Sequence, residues 1–436
     1  MNSKNITAFF ITTLLFTGIN NAQVIDSLYE VGTWRGFRAG AVSFTFDDNT
    51  PNQISVVLPI FDQYGFKMTF FPVINWGPNW TALQEAALNG HEIGSHTVSH
   101  TNLSSLTDEE QEAELKNSQD VINSYITAQK CLTIAYPYCA LGNSSICNQY
   151  YLAARGCSGV IVPKTPSDFM NISSIICGSQ GSIQRASDFT NKADVAASSN
   201  GWVVFLIHAI DNESGYSPTS STELKNALDS LSRNNDKFWV STFSNVARYI
   251  KERNNVSVKQ ISAQDSVITF SVTDTLDNSI YNYPLTIRRV LPEKWSSATI
   301  SQNGKTISSR IVNVNDNNYV MFDVVPDSGD IKMTKEKITG ISESFNYQIP
   351  TPILMQNYPN PFNPVTTIDY QIAENSFVTL KVYDLLGKEI TTLVDKQLSP
   401  GNYSAKFDGS HLTSELYLYR LDTQNFCSTR KLILLK

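Results

Sequence analysis

Over its first 250 or so residues the chain alternates two hydrophobic patterns. AGAVSFTF, KMTFFPV, CLTIAYP, WVVFLIH and KFWVSTF are short runs of β-branched and aromatic residues, which is the composition of buried strands. Amphipathic segments lie between several of them, the clearest being SSLTDEEQEAELKNSQDVINSYI. In that segment Thr107 and Glu110 have the spacing of a capping box, and Leu115, Gln119, Ile122 and Ile126 fall along one helical face. Such alternation predicts βα units and a mostly parallel sheet or barrel. The last helix of this region, FSNVARYIKER, closes it near Arg253.

From Val256 to about Lys337 the pattern becomes strand-like throughout (SVITFSVTD, YPLTIRRVLP, SATISQNGKTISS, YVMFDVVP), with Asn303-Gly304 as a two-residue hairpin turn. The segment ITGISESFNYQIPTPILMQ reads as a linker, and TTIDYQI, SFVTLKVYDLLGKEITTLV and LYLYRLDT mark a second, terminal β module. At the other end Lys4 precedes an apolar stretch from Ile6 to Ile19, too short to span a bilayer, followed by Asn20-Asn21-Ala22-Gln23. This reads as a secretory signal peptide cut after Ala22, with a membrane anchor as the alternative. The expected organisation is a signal peptide (1–22), an α/β domain (23–253), a small β-sandwich (254–337), a linker (338–354) and a terminal β module (355–436).

The chain has 436 residues, 41% of them hydrophobic and 17% charged, with a formal net charge of -7 and no basic run. That balance argues for a globular protein and against nucleic acid or an anionic membrane as the main partner. Beyond the N-terminal stretch no segment is long and apolar enough for a stable membrane span. Five of the six cysteines lie between Cys131 and Cys177 without a CxxC pair, so zinc-ribbon and redox readings are weak. Export makes one or two loop disulfides near Cys139, Cys147 and Cys157 the simpler expectation, with the connectivity open.

Candidate chemistry gathers in the first region. The apolar run AVSFTF ends in two adjacent acids, Asp47 and Asp48, which strand geometry would point to opposite faces. HEIGSHTVSH holds three of the five histidines. The spacing of His96 and His100 would put both imidazoles on one face of a helical turn, where they could share a metal. With an aspartate as third ligand, an Asp-His-His set with an open position is the coordination of a catalytic zinc.

FTFDDN, SHTVSH, AYPYC and LIHAID, in this order, resemble the motifs of the polysaccharide deacetylase family, the NodB homology domain of carbohydrate esterase family 4, over roughly Arg38 to Arg253. The resemblance implies a distorted (β/α) barrel that removes acetyl groups from carbohydrate polymers. It implies Asp47 as general base, and Asp48, His96 and His100 as ligands of one divalent metal ion, with zinc favoured by the ligand set. It also implies His208 as general acid, the backbone N–H of Tyr138 as an oxyanion donor and Leu206 as an apolar wall for the acetyl methyl group. One position departs from the pattern: many members have Arg where this chain has Ala135, and that arginine pairs with the catalytic base. Arg155, in YLAARGCSG, is the candidate replacement partner for Asp47. His91 reads as structural, His411 has no visible partner, and Trp34, Trp76 and Trp80 could line a sugar groove or simply pack.

QNYPNPFNP, VYDLLGKEI, SPGNYSAKFDG and the closing RKLILLK resemble the type A sorting domain of type IX secretion, over about Met355 to Lys436. Together the two resemblances imply a secreted or surface-bound deacetylase whose partners are the type IX machinery and an acetylated polysaccharide or oligosaccharide, with N-acetylglucosamine-containing glycans favoured. The alternatives are an O-acetyl esterase acting on a polymer such as acetylated xylan, and a carbohydrate-binding protein with a decayed site.

Overall fold

The computed structural model describes residues 24–336, 352–357, 360–373, 375–385, 387–399, 401–424 and 426–435. The expected signal peptide and most of the expected linker therefore lie outside the described residues. One compact unit joins the N-terminal part up to Phe37 with Ala247–Thr334, and the other holds Arg38–Val246 and Lys335–Lys436.

In the first unit β1 (Val24–Ile25) pairs with β11 (Ser257–Ala263), and β2 (Tyr29–Val31) pairs with β13 (Leu285–Val290). The expected boundary at residue 23 thus places in the α/β region a segment whose strands pair into the next one. Strands of two and three residues are too short to show a period, so the pattern could not place them. Six strands run in the order β1, β11, β12 (Val267–Thr273), β18 (Ile331–Lys335), β14 (Ala298–Gln302), β15 (Lys305–Ile307). Four more run β16 (Ser309–Val314), β17 (Asn317–Val324), β13, β2. The turn between β14 and β15 has Asn303 and Gly304 both at positive φ (48° and 75°), as a two-residue hairpin needs.

The α/β region is built on β3 (Gly40–Asp47), every residue of which is buried. Along one edge β3 pairs parallel with β9 (Trp202–Ile207). Its other edge is shared by β10 (Phe238–Val240) at the start and β4 (Thr69–Phe71) at the end. Parallel pairs β4 with β5 (Glu92–Ile93), β6 (Thr133–Ala135) with β7 (Ala153–Arg155), and β8 (Ile175–Ile176) with β9 continue the pattern. Single parallel bridges join Ser95, just after β5, to Ile134 of β6, and Arg155 of β7 to Ile172, just before β8.

The two faces of β3 differ in kind. Phe44 and Phe46 pack edge-on against Phe61 of α1 (Leu58–Gln63), at 5.2 and 5.8 Å, within the main apolar core. Ser43, Thr45 and Asp47 alternate to the opposite face, where Ser43 Oγ donates to Ser241 O (2.9 Å) and Thr45 Oγ1 to Phe205 O (2.8 Å). Helices α2 (Trp80–Leu88), α3 (Asp108–Tyr125), α4 (Ser144–Tyr150), α5 (Ala186–Ser198), α6 (Ser221–Arg233) and α7 (Phe243–Asn255) alternate with the strands. The capping box of α3 forms as its spacing predicts, and Leu115 and Ile122 are buried.

The C-terminal module has antiparallel sheets of three and four strands whose inward residues, among them Ile368, Tyr370, Val378, Leu380, Tyr419 and Leu432, share one apolar core. Among the described residues no helix is long and apolar enough to cross a membrane.

Candidate metal centre

Asp47 is the last residue of β3, and Asp48 begins the turn that follows. Asp48 and Asn49 both take positive φ, 72° and 45°. This turn sets the direction of Asp48, so the divergence expected from strand alternation does not occur. Asp47 Oδ2 and Asp48 Oδ1 each lie 3.6 Å from the same atom, His96 Nε2.

The histidine pair is not helical as expected from its spacing. His96 to His100 form a loop with Thr97 and His100 in the left-handed region (φ 66° and 60°), and the two rings meet at 4.8 Å and 70°. Other groups stabilise this loop. Glu114 of α3 accepts from the amides of Val98 (2.8 Å) and Ser99 (3.0 Å) and from Ser99 Oγ (2.7 Å). Thr97 Oγ1 accepts from His100 N at 3.1 Å. Gly94 is required just before the loop, because a Cβ there would collide with the Phe71 ring and Thr133 Oγ1.

Asp48, His96 and His100 form a group able to hold a metal ion, with ligand atoms within 4.8 Å of one another. Two observations support the fit. Asp48 Oδ1 is buried and accepts no hydrogen bond among the described residues, yet it lies 3.6 Å from His96 Nε2 and 3.5 Å from His100 Nε2. Ligands on a tetrahedral ion at about 2.0–2.1 Å would stand about 3.3 Å apart. In addition, His96 Nδ1 is 2.8 Å from the carbonyl of Ala135, which can only accept, so Nδ1 carries the proton and Nε2 keeps its lone pair. Burial pushes the His96 pKa down to about 4, leaving the imidazole neutral, as a ligand must be. Burial and the charge of Asp47 raise the Asp48 carboxyl to about 7. A cation is what would favour its ionised form.

Arg155 reaches across from β7. Its Nη2 is 2.6 Å from Asp47 Oδ2 and its Nη1 3.0 Å from Oδ1, a two-pronged pair, and Nη1 also donates to Thr45 Oγ1 at 3.1 Å. The guanidinium lies over the Phe71 ring at 5.5 Å. Burial alone would raise the Asp47 pKa, but Arg155, with smaller help from His96 and His208, outweighs it and the net shift is downward. His208 closes the other side of Asp47, with Nε2 4.0 Å from Oδ2. Burial lowers its pKa, opposed by the Asp47 charge. The structure thus brings Asp47, Asp48, His96, His100, Arg155 and His208 together.

Residues 35–153 match the model of the polysaccharide deacetylase family, and residues 356–435 that of the secretion system C-terminal sorting domain. Residues 35–153 belong to the polysaccharide deacetylase family. The chain is 29% identical over 330 residues to a gellan lyase of Bacillus sp, covering 70% of this chain and 13% of that protein. It is 30% identical over 109 residues to a chitin deacetylase of Arthroderma benhamiae, covering 24% of this chain and 29% of that protein. The chain therefore spans under a third of the length of either relative. Among solved structures it resembles a family 4 acetyl xylan esterase from Clostridium thermocellum in complex with a cobalt ion, at TM-score 0.34 and 18% identity over 47% of this chain and 89% of that one.

Leu206 of β9 pairs with Thr45, so strand register puts it on the face that carries Asp47. Tyr138 is exposed, at φ 56°, with its ring 4.7 Å from that of His100. Trp76 meets the centre, with its ring 4.8 Å from His100. Trp80 stacks on Tyr125, and Trp34 is buried in the other unit. His91 is structural: Nδ1 accepts from Met68 N at 3.2 Å and Nε2 meets Asp62 at 3.0 Å. His411 is exposed in the C-terminal module.

Four contributors to this centre escaped the sequence reading. Glu114 is one, and nothing along α3 distinguishes it from the neighbouring acids Glu109 and Glu112. Glu213 accepts from Thr50 Oγ1 (2.7 Å), Asn52 N (2.9 Å) and Ile210 N (2.7 Å), and so ties the loop after Asp48 to the loop after His208. Gln53 does the same from below, donating to the carbonyls of Asp47 and His208. Tyr216 is exposed with its ring 4.9 Å from His208.

Proposed function

We propose that the protein is a secreted, metal-dependent deacetylase that hydrolyses acetyl groups on N-acetylglucosamine-containing glycans. The observation that carries the reading is the placement of two differently held carboxylates around one histidine nitrogen. Asp47 is pinned by a guanidinium, while Asp48 has a bare oxygen facing two imidazoles. On this reading the parallel strands around β3, with the β6–β7 pair bridged between β5 and β8, form the family's distorted (β/α) barrel, and the two β regions are small sandwich-like modules.

Asp48, His96 and His100 would hold one divalent ion, zinc by ligand type, and when bound it would supply Lewis acidity to the acetyl carbonyl and make water a better nucleophile near neutral pH. Asp47, kept ionised and aimed by Arg155, takes the proton of the attacking water at Oδ2. The amide of Tyr138 is the donor for charge developing on the carbonyl oxygen. The departing amine needs a proton, and His208, on the other side of Asp47, delivers it at Nε2. Leu206 offers the acetyl methyl group an apolar wall, and the exposed rings of Trp76, Tyr138 and Tyr216 offer faces to sugar rings. Arg155 supplies from β7 the charge that many family members supply from the position of Ala135. The terminal module is the address for export by type IX secretion.

Acetate release from acetylated chitin oligomers, peptidoglycan and acetylxylan tests the reading. Release from the first two at rates well above that from acetylxylan is expected. Preferential release from acetylxylan would favour the O-acetyl esterase. Chain cleavage with an unsaturated product and no acetate would instead favour a lyase, the activity named for the Bacillus relative.

A further inference from the structure

The cysteines staple the rim of the centre. Cys139 and Cys157 form a disulfide, whereas Cys131, Cys147 and Cys177 are buried thiols and Cys427 an exposed one. One half of the bridge immediately follows Tyr138. The other lies two residues after Arg155. The backbone ladder between these segments runs from Thr133–Ala153 to Ala135–Arg155 and ends with Tyr136 N donating to Arg155 O at 3.1 Å. The disulfide carries the tether past that point.

What it restrains is an unusual turn. Tyr138 and Cys139 are consecutive non-glycine residues in the left-handed region, at φ 56° and 58°. Side chains at Cβ disfavour that conformation, and it persists where the surroundings over-determine it. Tyr138 is exposed, so packing of its ring does not bury it, yet the ring rests on the metal-ligand candidate His100 at 4.7 Å. A covalent link at the next residue limits the conformations the turn can reach.

We propose that the Cys139–Cys157 disulfide is a positioning element of the active centre: it holds the strained Tyr138–Cys139 turn against His100, so that turnover depends on the bridge being oxidised. The kinetic part rests on the deacetylase reading; the conformational part does not.

The test uses the full chain, oxidised, reduced by a phosphine (two thiols form as the phosphine becomes its oxide, with water supplying the oxygen and hydrogens), and as Cys139→Ser, Cys157→Ser and Cys139→Gly. Hydrogen exchange on peptides covering residues 137–141 should speed up at least tenfold on reduction and in both serine variants, while peptides of β3 stay unchanged. Acetate release should fall about tenfold or more in kcat for the same samples at a temperature where all remain folded. Cys139→Gly, which suits the left-handed turn without the bridge, should recover most of that loss. Reduced Cys427→Ser protein should match the reduced wild type, which assigns the effect to the bridge. Unchanged exchange at residues 137–141, or equal activity of the glycine and serine variants, would overturn the proposal. Absence of acetate release from the oxidised wild type would instead count against the deacetylase reading and leave the exchange result to decide the conformational claim.

Discussion

The deacetylase domain and the C-terminal module reach a folded core by opposite means. In the module, every second residue of Val365–Ile372 is buried, and among the module's described residues no non-glycine residue has positive φ. In the deacetylase domain, β3 is buried on both faces and the segments that follow its strands are bent: Asp48, Asn49, Thr97, His100, Tyr138 and Cys139 are all left-handed. Every one of these six either is a candidate site residue or adjoins one. The difference shows where conformational strain is stored. Regular alternation suffices for a core, whereas convergence of acids and imidazoles requires backbone shapes that must be secured by buried polar contacts.

The largest effect should come at the metal group. His96→Ala or His100→Ala should remove bound metal and lower acetate release by about a thousandfold or more, the scale of losing an essential catalytic element; elemental analysis and kinetics on the same preparations check this. No substitution in the C-terminal module should do so.

The next largest should come at Arg155. Arg155→Ala leaves a fully buried carboxylate without its partner, which should cost about 3–5 kcal/mol of stability. Denaturant unfolding measures it. Turnover should fall strongly as Asp47 loses its aim, and metal content should be retained in the folded fraction. Arg155→Lys should recover less than half of the lost stability, because an ammonium cannot reproduce the two-pronged contact.

The effect should be smaller at Glu114, which secures the histidine loop from α3. Glu114→Ala removes three hydrogen bonds to an acid and should cost about 2 kcal/mol, with weaker metal affinity as the kinetic signature. Titration with a fluorescent zinc chelator resolves that change.

The smallest effect on chemistry should come from deleting residues 355–436. The truncated protein should deacetylate at the rate of the full chain while failing to reach the cell surface of its host. A folded but inactive truncation would mean that the module does more than address the protein.

How much of this was legible in the sequence follows from the same contrast. Where a side chain's task depends on period, the reading held: the α3 capping box, the buried Leu115 and Ile122, and the Asn303-Gly304 turn all form. The motifs also named the residues that meet at the centre, and the departure at Ala135 directed attention to Arg155, which does pair with Asp47. The manner of their meeting was not legible. Strand and helix periods predict diverging aspartates and a helical histidine pair, and the left-handed turns at Asp48 and Thr97 override both. Glu114 acts through the amides of Val98 and Ser99, and Glu213 joins its own loop at Ile210 to Thr50 and Asn52, far away in sequence; no local pattern announces such long-range contacts. The strands Val24–Ile25 and Tyr29–Val31 are too short to show which core they join.

Under the proposed function Asp47 and Asp48, though adjacent, do different work: one as base, the other as metal ligand. The most direct test is the metal content and turnover of Asp47→Asn beside Asp48→Asn. Asp47→Asn should keep about one equivalent of divalent metal and lose turnover, while Asp48→Asn should lose both. Metal lost from Asp47→Asn but kept by Asp48→Asn would contradict that division of roles.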